Sequence, residues 1–356
     1  MTFVLIFLPL LMLLAGLPIF VVLLTSSMVV LAFFMQIPMA AVHQNLFGSL
    51  NNLGLLAIPY FIFAGELMAR GSISKRLVDF VHSLAGGLPG SLGVTTIGTA
   101  TVFGAISGSS AAAVASVGRV LHPAMVRDNY PPSFSAGMVT SVSAIGIVIP
   151  PSIPMIVYGA SSETSIPRLY AAGVLPGLVL AGLLIIFVMF TSWSRSYGSA
   201  AGFSFAVVRK ATGRAIWALG APVIVLGGIY GGIFSPTEAA AVACLYAIVV
   251  TRFILCELSW REILESAKNA VSFSSQILMV VAAAGLFSWI LAVNQLPAAL
   301  VSLLIENDVS AWQFLIAINI ILLVWGCFMD PISAILLLTP VLIPIVDVLE
   351  IDKVHF

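Results

Sequence analysis

Apolar residues run along this chain in long blocks rather than in alternating stripes. The blocks lie at about 3–35, 53–69, 92–121, 134–160, 169–193, 215–234, 237–255, 271–292, 312–328 and 332–349, with short polar stretches between them. A membrane-crossing helix needs about 20 apolar residues, because each residue rises about 1.5 Å across a hydrocarbon core about 30 Å thick. Blocks of this length predict an all-α polytopic membrane protein. The first block is longer than one crossing. It reads as one tilted helix or as two shorter helices broken near Gly16-Leu17-Pro18. No Lys or Arg precedes Arg70, so a cleavable signal with its charged n-region is not expected.

Two blocks carry polar, helix-breaking strings 222 residues apart. One is Gly104-Ala105-Ile106-Ser107-Gly108-Ser109-Ser110. The other is Gly326-Cys327-Phe328-Met329-Asp330-Pro331-Ile332-Ser333. Other matches keep the same order: Leu17-Pro18 with Ser235-Pro236 at 218, Ala64-Gly65-Glu66-Leu67 with Ala284-Gly285-Leu286-Phe287 at 220, and Leu77-Val78 with Leu300-Val301 at 223. A slowly rising offset is what a diverged duplication gives. With an odd number of crossings between the copies, they are inverted in the membrane. The first repeat is read as 1–194, with scaffold helices, a surface arm helix at 37–51, a re-entrant hairpin at 92–121 and a broken helix at 134–160. A polar connecting loop follows at 195–214. The second repeat, 215–356, is incomplete, with an arm helix at 258–269 and a hairpin at 312–349. Both arm pieces are amphipathic and too short to span, as expected of helices lying at the membrane surface.

Composition narrows the class further. The chain is 61% hydrophobic and 8% charged, with mean hydropathy +1.16, whereas soluble domains carry roughly 25% charged residues. Zero net charge gives no basic field for nucleic acid. Cys244, Cys256 and Cys327 sit in apolar stretches without pairing spacing and read as small buried hydrophobes. His43, His82, His122 and His355 form no metal-ligand spacing. The loop bearing Arg195, Arg209, Lys210 and Arg214 is the cytoplasmic candidate by the positive-inside rule.

The breaks hold the candidate chemistry. Around Ser107-Gly108-Ser109-Ser110, small residues let two helical arms approach closely. At such a tip one helix ends in free carbonyls and the next begins with free N–H groups. Carbonyl ends can coordinate Na⁺, and N–H ends attract a carboxylate. Continuous small-residue packing is the other reading of this string. In Gly146-Ile147-Val148-Ile149-Pro150-Pro151-Ser152-Ile153-Pro154, three prolines cannot sit in a regular helix, so the segment unwinds and carbonyls from Gly146 to Pro150 need partners; a loop between short helices is the alternative. Asp330 is an isolated acid in apolar sequence. It reads as the tip of the second hairpin, holding a cation or a substrate donor group, or as an N-cap. The substrate-binding candidates are therefore Ser107, Ser109, Ser152 and Asp330. The Na⁺ candidates lie near Ser107, Gly108, Ser110, Gly146, Ile149, Pro150 and Asp330. Ser235-Pro236-Thr237-Glu238 fits a capping box, and Glu66 with Arg70 a helical ion pair.

These strings resemble the large membrane subunit of tripartite ATP-independent periplasmic (TRAP) transporters, the DctM-like family. The resemblance is carried by Pro59 through Met68, Ser107-Gly108-Ser109-Ser110, Gly146 through Pro154 with Val157-Tyr158-Gly159, Ser235 through Ala241, and Phe328-Met329-Asp330-Pro331, in family order along the whole chain. It implies a multi-pass transporter of the bacterial inner membrane, not an enzyme, with an inverted-repeat elevator fold of the ion-transporter superfamily. Two re-entrant hairpins and two broken helices would surround Na⁺ and substrate. Na⁺ is the coupling ion and no cofactor is expected. The implied partners are a small four-helix DctQ-like membrane subunit and a DctP-like periplasmic binding protein. The latter delivers an organic acid such as a C4-dicarboxylate or a sialic acid. Family members continue into a second Pro-broken helix, for which the second repeat here has no counterpart, so the chain is expected to be truncated at its C-terminal end. A standalone Na⁺-coupled carboxylate symporter of the same superfamily is the alternative. A remote one is an intramembrane serine hydrolase using Ser107 with His122.

Overall fold

The computed structural model describes residues 2–35, 37–198 and 202–356, and among these the only secondary structure is helical. The first half forms α1 (Thr2–Leu14), α2 (Ile19–Phe34), α3 (Met39–Gly48), α4 (Ala57–Arg70), α5 (Ile73–Ala85), α6 (Ser91–Ser107), α7 (Ser110–Arg127), α8 (Pro132–Ser143), the single turn α9 (Ile145–Val148), α10 (Ile153–Ser162) and α11 (Ile166–Arg195). The second half forms α12 (Phe205–Tyr230), α13 (Pro236–Ile248), α14 (Trp260–Val293), α15 (Leu296–Glu306), α16 (Ala311–Trp325) and α17 (Pro331–Val348). Six helical segments among the described residues are long and apolar enough to cross a membrane, or seven if the bent α8–α10 segment counts as one. The protein is an all-α, multi-pass membrane protein.

Local chemistry explains most of the breaks. The first apolar block is two helices, parted where Gly16 takes φ +77° and Pro18 opens α2. Ser235 accepts the Glu238 N–H, and Glu238 accepts the Ser235 N–H at 2.8 Å, completing the expected capping box on α13. α5, α6 and α7 recur as α15, α16 and α17 at the offset read from the sequence, with Leu77-Val78 inside α5 and Leu300-Val301 inside α15.

Three readings change. The piece 258–269 is not a separate surface helix but the opening turns of α14, which runs unbroken for 34 residues. In the first half a turn parts α3 from α4, where Asn52 Oδ1 accepts the Gly54 N–H at 2.9 Å. At the matching stretch of α14, Ala270 to Gln276, there is no Gly, Pro or Asn to end the helix. The connecting loop is shorter than 195–214, because α12 begins at Phe205 and buries Ala211, Ala215 and Ala218 at helical spacing; residues 199–201 lie outside the described residues. Of the three cysteines only Cys244 is buried, and Cys256 and Cys327 are exposed.

The chain forms two compact units. The first comprises Met1–Leu55, Ile156–Ser165 and Phe273–Phe356. In it α1 packs on α2 and α15 on α17, and Phe314 and Ile318 of α16 meet Leu342, Ile345 and Val346 of α17. The second comprises Leu56–Met155 and Ile166–Ser272. At its centre is α6, which packs against α4, α5, α7, α8, α9, α11 and α12. Its sequence has no charge and is rich in Gly, Ala and Thr, so many neighbours come close to one backbone. Near one end of this unit the Glu257 carboxylate accepts from the Ser72 N–H at 2.7 Å, from the Ser72 hydroxyl and from Arg76 Nη2 at 3.0 Å. Burial alone would raise the Glu257 pKa, but the hydrogen bonds from Ser72 and Arg76 outweigh it and hold the carboxyl below its ordinary value.

Candidate functional site

The tip of the first hairpin is built by one glycine. α6 ends where the Gly108 N–H donates to the Gly104 carbonyl at 2.9 Å, with Gly108 at φ +59°. A left-handed residue here is easiest for glycine. A Cβ at this position would also lie 2.8 Å from the Pro151 carbonyl oxygen. Ser109 is then extended and caps α7, its hydroxyl accepting the Ala112 N–H at 3.5 Å. Ser110 is the first residue of α7, which packs along α6. The 92–121 block is thus two helices joined at Gly108-Ser109, not a continuous small-residue helix. Ser107 is 1% exposed, and its buried hydroxyl has no hydrogen-bond partner among the described residues. Such an orphan costs about 1–3 kcal/mol unless something binds it.

The proline break meets this tip. In a continuous helix the Gly146 and Ile147 carbonyls would accept from residues 150 and 151, but both are prolines without an N–H. The Ser152 hydroxyl takes over the Ile147 carbonyl. Pro154 likewise leaves the Pro150 carbonyl without its helical donor. The helix axis bends by 43° across the break. On its far side the Ile153 N–H reaches the Gly108 carbonyl at 3.4 Å. Behind the tip Gly104 lies on Gly146, where a Cβ on Gly146 would stand 3.3 Å from the Gly104 Cα.

The structure therefore gathers Ser107, Gly108, Gly146, Ile149, Pro150 and Ser152 into one region of the second unit, with Ser109 and Ser110 opening the adjoining helix. Ile149, Pro150 and Ser152 are all buried. Two partners escaped the sequence reading. Gly65 of α4 lies so close to the tip that a Cβ there would be 3.0 Å from the Ser107 Cα; its recurrence as Gly285 was the available signal. Tyr170 of α11 is fully buried with its hydroxyl against the Ser152 backbone, and nothing in its apolar surroundings in the sequence marks it. The chemistry assembled is one free hydroxyl and backbone carbonyls deprived of helical donors. Such oxygens suit a hard cation, and the N-termini of α7 and α10 suit an anion.

Asp330 belongs to the first unit and is the N-cap of α17. It accepts from the Ser333 N–H at 3.0 Å and from the Ser333 hydroxyl at 2.5 Å, with Pro331 next in chain. Cap and hairpin tip are one position here, since α16 ends at Trp325 and the break falls between the two helices. Glu66 pairs with Arg70 at 3.2 Å as expected, and Arg70 extends the pair to Glu265 at 3.3 Å. His122 Nδ1 is 2.9 Å from the Ser135 hydroxyl, while the Ser107 hydroxyl has no partner among the described residues, so none of these places a base on Ser107 as a serine hydrolase requires.

Residues 5–356 match the family described as "Tripartite ATP-independent periplasmic transporter, DctM component". The chain is 36% identical to the C4-dicarboxylate TRAP transporter large permease protein of Rhodobacter capsulatus, over 97% of this chain and 82% of that one. It is 38% identical to the C4-dicarboxylate TRAP transporter large permease of Pseudomonas aeruginosa, over 87% of this chain and 73% of that one. It is also 38% identical to the ectoine TRAP transporter large permease of Halomonas elongata, over 96% and 81% respectively.

Proposed function

This chain belongs to the DctM family of tripartite ATP-independent periplasmic transporters, a transporter component rather than an enzyme, and from that membership we propose that it carries a small organic acid across the bacterial inner membrane, driven by Na⁺. The observation that carries the reading is the meeting of the Gly108 tip with the Pro150-Pro151 break around the unpartnered Ser107 hydroxyl. Ser107 and the carbonyls of Gly146 and Pro150 would hold Na⁺, with Gly108, Ser110 and Ile149 as neighbours. Na⁺ supplies positive charge where an anionic passenger must lose its water. Ser109 and Ser152, at the entrances of α7 and α10, would face the passenger. Asp330 would serve the second copy of the site, its cap orienting the carboxylate. The elements recurring from α5–α7 to α15–α17 support an inverted repeat, and a carrier of that design moves its site across the membrane by an elevator motion of one body against another.

The relatives bear the names of C4-dicarboxylate, ectoine and sialic acid transporters, so a C4-dicarboxylate is the first passenger to try and a sialic acid the second. The partners would be a small DctQ-like membrane subunit and a DctP-like periplasmic binding protein. The test is uptake into proteoliposomes holding the chain and its small subunit, with and without the binding protein, across a Na⁺ gradient. Accumulation requiring both Na⁺ and the binding protein supports the reading. Uptake without the binding protein favours a standalone symporter, and uptake indifferent to Na⁺ removes the coupling ion.

A further inference from the structure

We propose that the opening turns of α12, with the start of α5, bind the headgroups of anionic phospholipids. α12 exposes Arg209, Lys210 and Arg214 while burying Ala211, Ala215, Ala218, Ala221 and Val225 on the opposite side. α5 packs along α12. Arg76 of α5 crosses to donate to the Arg214 carbonyl at 3.4 Å, and Lys75 is exposed beside it. Five of the chain's 14 cations thus share one region. Lys75, Arg209, Lys210 and Arg214 form no ion pair among the described residues. The only acid on these two helices is Asp79, one turn along α5, and Glu257, which precedes α14, is already held by Arg76 at 3.0 Å.

Helical geometry joins these charges to an apolar surface. Arg209, Ile216 and Val223 follow at intervals of seven on one face, with Ile216 58% and Val223 68% exposed. Lys210 heads Trp217 in the same way, and Trp217 is 41% exposed. From Arg209 to Ile216, and from Lys210 to Trp217, the helix climbs about 10 Å, which stays within one leaflet of a core about 30 Å thick. Phe203 and Phe205 are exposed just before the cations, as aromatics at an interface are. Cations at the end of an exposed apolar stripe on a membrane-crossing helix match a molecule with an acidic head and an acyl tail. An acidic protein segment would match the charges but leave the stripe uncovered. Juxtamembrane clusters of this size are the recognised pattern for acidic lipid headgroups.

The experiment is native mass spectrometry of the purified full chain in micelles doped with equal phosphatidylglycerol and phosphatidylcholine. The wild type is expected to retain phosphatidylglycerol preferentially. Arg209→Gln/Lys210→Gln/Arg214→Gln should lose that preference, by roughly fivefold per cation removed. Arg209→Lys/Arg214→Lys should keep it, as should Arg119→Gln/Arg127→Gln, which removes exposed cations from α7. Size-exclusion profiles report folding, and the charge-preserving variant separates a lost site from a lost fold. Equal phosphatidylglycerol retention by wild type and triple variant overturns the site. So does full displacement of the lipid by excess inorganic phosphate, which would show a simple anion site. Capture of a poly-glutamate peptide with no phosphatidylglycerol preference would assign the face to an acidic protein instead.

Discussion

Replacing Gly104 by alanine tests the contact on which the candidate site is built. An alanine in a helix normally gains about 0.5–1 kcal/mol over glycine, because the unfolded chain has less freedom to lose. At Gly104 the new methyl would run into the Gly146 Cα and stand 3.1 Å from its carbonyl carbon and oxygen. The obstacle is backbone, which cannot rotate away as a side-chain tip can. Inserting a methyl into packed structure costs about 1–3 kcal/mol, so the clash outweighs the helix gain and Gly104→Ala should be less stable. Gly137 is the internal control: it lies inside α8, and a Cβ there meets nothing within 4 Å. Gly137→Ala should gain the full helix increment of about 0.5–1 kcal/mol. The assay is apparent melting of the full chain in one detergent, read by fluorescence-detected size exclusion, with Na⁺-dependent uptake measured in parallel. The expected order is Gly137→Ala above wild type and wild type above Gly104→Ala, with uptake falling only in the last. A Gly104→Ala protein that melts and transports like wild type would refute the close approach of α6 to α9.

Ser107→Ala should not lower the melting temperature, because the hydroxyl it removes is unpartnered; it should raise the Na⁺ concentration for half-maximal uptake, and an unchanged Na⁺ dependence would take Ser107 out of the ion site. Asp330→Ala should destabilise by about 1 kcal/mol through loss of the α17 cap, whereas Asp330→Asn should keep the cap and still weaken Na⁺-dependent uptake; equal uptake by Asn and Asp would leave Asp330 with capping alone. The depressed Glu257 carboxyl gives a pH signature. A lowered folded pKa means stability that is present above the ordinary glutamate value of 4.5 and lost as pH falls through the lower folded value. Glu257→Gln should therefore melt below wild type at pH 7, with the gap closing below about pH 4; a gap of constant size across that range would contradict the clasp.

The sequence by itself determined where this chain cannot be a helix. Gly108 accepts a left-handed conformation, Pro150, Pro151 and Pro154 lack N–H groups, and Asp330-Pro331 favours a helix start by its cap and its missing N–H. These are properties of single residues and their chain neighbours, so they survive without any knowledge of the fold. The membrane class was equally legible, since it depends on apolar length and charge alone. Tertiary structure decided which of these breaks meet. Gly104 touches Gly146 and Gly65 touches Ser107 across separations that no local pattern encodes, because a glycine needed for close approach looks the same in sequence as one in open space, such as Gly137. The same limit hid the continuity of α14, where polar side chains resemble a surface piece but the backbone meets nothing to stop it. It also hid the helical start of α12, whose arginines suggested a loop until Ala211, Ala215 and Ala218 were seen to be buried. Whether a hydroxyl such as that of Ser107 is satisfied or left for a ligand is a question of neighbours in space, and only the folded chain supplies them.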